Sequence, residues 1–163
     1  MPTHDPEDER MDRIARNIGR GLVAGLIGTA AMTGSSSLEA KLRGRRSSTT
    51  PADAAERVLG IEEFDSDARE QQFSQLVHWA YGIAWGAARG LLRALGLGPR
   101  AATGAHFALV YGGEQVMLPA LGVTPPATQW GAKEVGVDTL HHAVYIVTTA
   151  GAFEWLRNRG DDA

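Results

Sequence analysis

Residues 21–38 read GLVAGLIGTAAMTGSSSL, eighteen positions without a charge. A helix rises about 1.5 Å per residue and needs about 20 mostly apolar residues to cross ~30 Å of hydrocarbon, so this run sits at the lower limit for a membrane span. A second charge-free run of the same length follows at 71–88, QQFSQLVHWAYGIAWGAA. Two further stretches, Ala101 to Val123 and Val137 to Leu156, are apolar and rich in small residues.

These four stretches predict an all-α fold, a four-helix transmembrane bundle in a single domain, 1–163. Its membrane helices are expected at 17–42, 73–95, 101–123 and 137–156, with a polar N-terminal tail at 1–16 and a loop at 43–72. The length suits one four-helix core and not two. A mean hydropathy of -0.17 looks water-soluble, but the charged ends and the first loop lower an average that the spans alone would raise. The first apolar run follows Arg13, Arg16 and Arg20 and so also resembles a secretory signal, yet Gly28-Thr29-Ala30 is a poor cleavage site.

Glycine placement supports helix packing. Gly82, Gly86 and Gly90 recur every fourth residue, as do Gly104, Ala108 and Gly112, with Gly21 and Gly25 in the first run. Such runs are weak helices in water but let backbones approach closely in lipid. They serve packing within the chain, association between copies, or both. In the first loop Thr50 can cap a short interfacial helix, with Pro51 at its first position and Gly60 as its stop; Ala54, Ala55, Val58 and Leu59 give it an apolar stripe. Trp130 suits the headgroup level. With both termini in the cytoplasm, Lys and Arg divide nine inside to seven outside, a weak bias to which Arg43, Arg45 and Arg46 run counter.

The net charge of -3 offers no basic surface for nucleic acid, and the absence of cysteine removes disulfides, thiolate catalysis and zinc-thiolate sites. No catalytic residue is indicated. Ser35-Ser36-Ser37 lacks an acid-base partner at a known spacing and is expected to bond back to helix carbonyls. Arg89 and Arg93 are expected to snorkel to a headgroup boundary, Glu154 and Arg157 to pair locally, and Asp138 to sit at the start of the last helix.

The spans nevertheless carry groups that hydrocarbon penalises. Alternating direction places Glu39, His78, Glu114 and His142 about 4 to 10 Å inside one face, whereas His106 belongs near the other. Glu facing His forms a charge-assisted hydrogen bond that offsets part of the desolvation, so pairing is the default. Carboxylate and imidazole are also ligands for a divalent transition metal, which makes Glu39, His78, Glu114 and His142 the candidate shell, with His141 as a substitute ligand. No HExxH or ExxH spacing supports that set, and His141 and His142 point about 100° apart on a helix. Haem held by two histidines is a weaker alternative, without an attachment motif.

The runs GLVAGLIGTAAMT with Glu39, STTPADAAERVLG, HWAYGIAWG, EQVMLPALGVTPP and HHAVY resemble the YagU-like family of small inner-membrane proteins, over roughly Gly19 to Leu156. The resemblance implies a helical, multi-pass protein of the bacterial inner membrane and carries over no catalytic residue. Three readings stay open. In the first, a lipid-embedded Glu/His layer sets packing and holds an ion. The second is a proton or ion pathway through the bundle, and the third a soluble helical bundle binding an apolar ligand.

Overall fold

The computed structural model describes residues 5–45, 48–61 and 64–161; Arg46, used above for sidedness, lies outside them. Asp5 starts α1 (Pro6–Arg43) by accepting the amide of Glu7 at 3.0 Å, Pro6 occupies the first turn, and Glu7, Asp8 and Glu9 complement the positive end of the helix. Lys41 and Arg43 complement the other end, and Gly44 closes it at φ 64. The expected polar tail is therefore corrected: from Pro6 onward it is helix, continuous with the apolar run over 38 residues. Capping outweighs polarity there, because charged residues favour helix wherever the ends are satisfied.

The remaining elements are α2 (Thr50–Leu59), α3 (Asp67–Ala94), α4 (Pro99–Phe107), a π-helical turn (Ala108–Gly112), α5 (Gly113–Ala120), a 3-10 turn (Ala127–Gln129) and α6 (Ala132–Asp161). No strand occurs among the described residues. α2 matches the expected loop helix within one residue: Thr49 precedes it, Thr50 is already helical, and Gly60 ends it at φ 68. Trp130 is held in the last loop, its indole N–H donating to the Pro125 carbonyl at 2.8 Å.

α1 runs antiparallel to α3 with almost nothing between them. A methyl group at Gly86 would enter the backbone of Gly21 and Gly25, and one at Gly90 would strike the carbonyl of Asn17. α6 packs on the neighbouring face of α1, where Gly28 faces Thr149 and Tyr145. α4, the π turn and α5 climb beside α3 and α6 as one interrupted helix, contributing Phe107 and Val110 to a small core with Met32, Trp85, Tyr145 and Ile146. The third glycine stripe departs from the first two. Gly104 and Gly112 have nothing within 4 Å of where a side chain would begin, so that face is unpartnered among the described residues.

Burial is inverted relative to an ordinary water-soluble fold. Among the described residues the interior holds Asn17, Thr29, Arg89, His106, His142 and Thr149 beside its apolar members, while Leu76, Val116 and Val147 are 66%, 72% and 67% exposed and Leu22, Leu26 and Ile27 also face outward. One helix among the described residues, α1, is long and apolar enough to cross a membrane. The spans expected at 73–95 and 137–156 fall on α3 and α6, whose bounds differ, the one expected at 101–123 is divided among α4, the π turn and α5, and none of these helices is both long and apolar enough to cross a membrane.

Candidate functional site

Asp138, His142, Tyr145 and Thr149 recur at intervals of four, three and four on α6, which puts them on one helix face. The π turn faces the upper part of this stripe. It inserts one extra residue into the helical turn, which re-aims the side chains of α5 beyond it. Tyr111 in that turn shares a 2.9 Å hydrogen bond with Thr139 and lays its ring 5.1 Å from the imidazole of His142. Glu114, in the first turn of α5, then meets His142 with Oε2 2.5 Å from Nε2.

The other ring nitrogen of His142, Nδ1, donates to the Asp138 carbonyl at 3.0 Å and lies 3.5 Å from Asp138 Oδ1, while the Gln115 amide donates to Asp138 Oδ2 at 3.3 Å. Nδ1 faces a carbonyl and must carry a hydrogen. Two lone pairs cannot share a 2.5 Å gap, so a second proton lies between Nε2 and Glu114. Whether that proton belongs to an imidazolium or to a carboxylic acid, the total is the same. The His142 side chain is 9% exposed, against 19% for Glu114 and 25% for Asp138, so the carboxylates form the outer side of the group.

Glu39 lies in a different cluster. It accepts from Arg43 Nη1 at 2.8 Å and from Arg45 Nε at 3.0 Å, with a further bond from Arg45 Nη2, and Arg43 also clamps Glu134 through Nη2 at 2.8 Å. The hydrogen bonds from Arg43 hold the Glu134 carboxyl below the ordinary carboxylate range, and Glu134 and Glu39 together raise Arg43 above the usual value for a guanidinium. His141, displaced around α6 as the helical geometry requires, shares a 2.9 Å bond with Ser35 through Nδ1 and turns Nε2 toward Glu39, 3.9 Å away. Ser36 bonds back to the Thr33 carbonyl at 3.2 Å as expected of this serine run, whereas Ser35 reaches across to α6.

His78 bonds Thr33 Oγ1 at 3.0 Å. That hydroxyl spends its single hydrogen on the Thr29 carbonyl at 2.8 Å, so His78 is the donor. The four expected ligands therefore do not converge. Glu114 and His142 meet, Glu39 goes with His141 and two arginines, and His78 ties α3 to α1. Asp138, expected to mark a helix start, instead lies inside α6 and completes a trio with Glu114 and His142 whose ligand atoms fall within 4.8 Å of one another. The i, i+4 spacing of Asp138 and His142 was the available signal. His106, placed apart by the sequence, is wholly buried with Nε2 2.9 Å from the Trp85 carbonyl, and its ring is 5.7 Å from that of Tyr145. Each described imidazole thus has its own partner.

The snorkelling expectation for Arg89 is corrected. Its side chain is fully buried, donating to Thr103 Oγ1 at 2.9 Å and Glu154 Oε1 at 3.1 Å beneath the ring of Phe153. The Glu154 and Arg157 pair forms at 3.1 Å, but Glu154 also receives Arg93 at 2.9 Å and so serves three arginines. Opposite charges on α3 and α6 offered a closer partner than the headgroup level. No protein-family model matches the chain, and no curated protein and no solved structure matches it.

Proposed function

We propose that this chain is a small multi-span membrane protein of the YagU-like kind that takes up and releases a proton at the Glu114, His142 and Asp138 group. Support for a lipid setting comes from the inverted burial. In water the outward faces around Leu76, Val116 and Val147 would cost free energy, and the buried Arg89 and His106 would gain nothing in return. In hydrocarbon the same distribution is the economical one, with apolar residues meeting lipid and polar ones turned inward to partners. α1, α3, the α4 to α5 segment and α6 are then the four spans, in the bacterial inner membrane, with α2 at the interface.

One observation carries the functional reading: both nitrogens of His142 face oxygens, and Nε2 and Glu114 Oε2 are 2.5 Å apart. The bound proton holds α5 to α6. When it leaves, two lone pairs confront each other and the groups separate, so proton exchange is linked to the packing of those helices. Reconstituted in liposomes under a pH gradient, the parent chain passes protons faster than empty vesicles and Glu114→Gln does not. Flux equal to that of empty vesicles, or unchanged in Glu114→Gln, refutes the proposal.

The donor set favours a divalent metal as a second reading. Two carboxylates and an imidazole converge, and a histidine whose Nδ1–H is held by a carbonyl is oriented as a metal ligand. A zinc ion with bonds of about 2.0 to 2.2 Å to N and O would separate those atoms by roughly 3.3 Å at a tetrahedral angle. The 2.5 Å separation suits a proton. Elemental analysis of purified protein, with melting measured before and after zinc or manganese, separates the two: added metal raises the melting temperature only if the trio opens to accept it.

A further inference from the structure

Fifteen residues beyond His142 along α6, about 22 Å at the helical rise, the bundle ends in a cavity of about 300 Å³ lined by Arg13, Arg16, Asn17, Arg20, Arg93 and Arg157. Three helices supply these guanidinium groups. On α1 the spacing of Arg13, Arg16 and Arg20 puts them on one face, and α3 brings Arg93 alongside because Gly90 lets the α1 backbone at Asn17 approach without a side chain between. Glu154 fixes Arg93 and Arg157 from behind, at 2.9 and 3.1 Å. It also serves Arg89, so one carboxylate answers three cations. Asp12 lies 4.0 Å from Arg16 with both side chains more than 60% exposed, a pair that solvent screens.

Among the described residues, no acidic side chain lines the cavity. Arg13 and Arg16 bring positive charge to this cavity, and an anion with several oxygens would balance it while using their forked N–H donors. A phosphate group offers both the charge and the number of acceptors.

We propose that this cavity binds a phosphate group, carried either by an anionic lipid headgroup or by a free phosphate anion. The site is distant from His142 and does not depend on proton exchange there. The test uses the full chain purified in detergent, titrated calorimetrically with sodium pyrophosphate in one arm and with mixed micelles containing phosphatidylglycerol or phosphatidylcholine in the other. Arg13 and Arg16 are exposed, so Arg13→Gln/Arg16→Gln can be compared with the parent without loss of the fold, which a helical melting curve verifies. Arg57→Gln on α2 serves as a charge control.

Binding of pyrophosphate, or of phosphatidylglycerol in preference to phosphatidylcholine, weakened at least tenfold in the double variant and unchanged in Arg57→Gln, supports the site and identifies the source. Phosphatidylglycerol alone indicates a headgroup; pyrophosphate alone, a free anion. The proposal fails if neither probe binds, if the double variant binds like the parent, or if Arg57→Gln weakens binding equally.

Discussion

Arg89, a side chain without any solvent exposure, donates from Nη2 to Oε1 of Glu154 at 3.1 Å and so ties the end of α3 to the end of α6. Removing one partner of a buried ion pair leaves an uncompensated charge and costs about 3 kcal/mol or more. Glu154→Gln is therefore expected to lower the unfolding free energy in detergent by about 3 kcal/mol, with Glu154→Asp falling between it and the parent. A Glu154→Gln variant that melts with the parent would show that Thr103 and the Pro99 carbonyl, to which Arg89 Nη1 also donates at 3.4 Å, suffice for Arg89.

The glycine stripes make opposite predictions for the same substitution. At Gly86 a methyl group meets the backbone of Gly21 and Gly25, which cannot rotate away, so Gly86→Ala forces α1 and α3 apart at a cost of about 1 to 3 kcal/mol. At Gly104 the added methyl meets nothing within 4 Å, and alanine gains helix propensity of up to about 1 kcal/mol. Denaturation of both variants in detergent checks the contrast. Equal destabilisation would mean that the Gly104 face is packed as well, against a second copy of the chain.

Much of this architecture was legible in the residues. The charge-free run at 21–38 located α1, and the recurrence of glycine every fourth residue at 82, 86 and 90 identified the face that α1 covers. Pairing Glu with His was also correct in kind, and Glu114 does meet His142. The partners of Glu39 and His78 were hidden, because depth along a helix says nothing about rotation around it. The π turn at 108–112 was equally hidden: it shifts the register of Glu114, and no residue in ALVYG announces it. Asp5-Pro6 followed by three acids does carry a helix-start signature, and the polarity of the segment obscured it.

Glu56 on α2 is half-buried with Oε1 unpartnered, and its carboxyl is raised above the ordinary value first by that burial and then by Asp53 and Glu70. A carboxyl whose folded value is raised favours the folded state at pH below its unfolded value, about 4.3, and loses that contribution as pH rises through the folded value. Glu56→Gln is accordingly expected to raise the melting temperature at pH 7 and to change it little at pH 4. A variant that melts lower than the parent at pH 7 would indicate that the ionised carboxylate is stabilising where it stands.

Arg43 and Glu134 give the opposite sign. Their hydrogen bonds, at 2.8 and 3.1 Å, join the end of α1 to the start of α6 and hold the Glu134 carboxyl below its unfolded value. A depressed folded value contributes stability above the unfolded value of about 4.3, and that contribution disappears as pH falls through the folded one. The pair is partly exposed, 27% for Arg43 and 52% for Glu134, so salt weakens it as well. A double-mutant cycle of Arg43→Met and Glu134→Gln is expected to show favourable coupling at pH 7 in low salt, less at high salt, and none once the pH lies below the folded value of Glu134. Coupling that persists undiminished at pH 2 would mean that the two helix ends are joined by packing and not by charge.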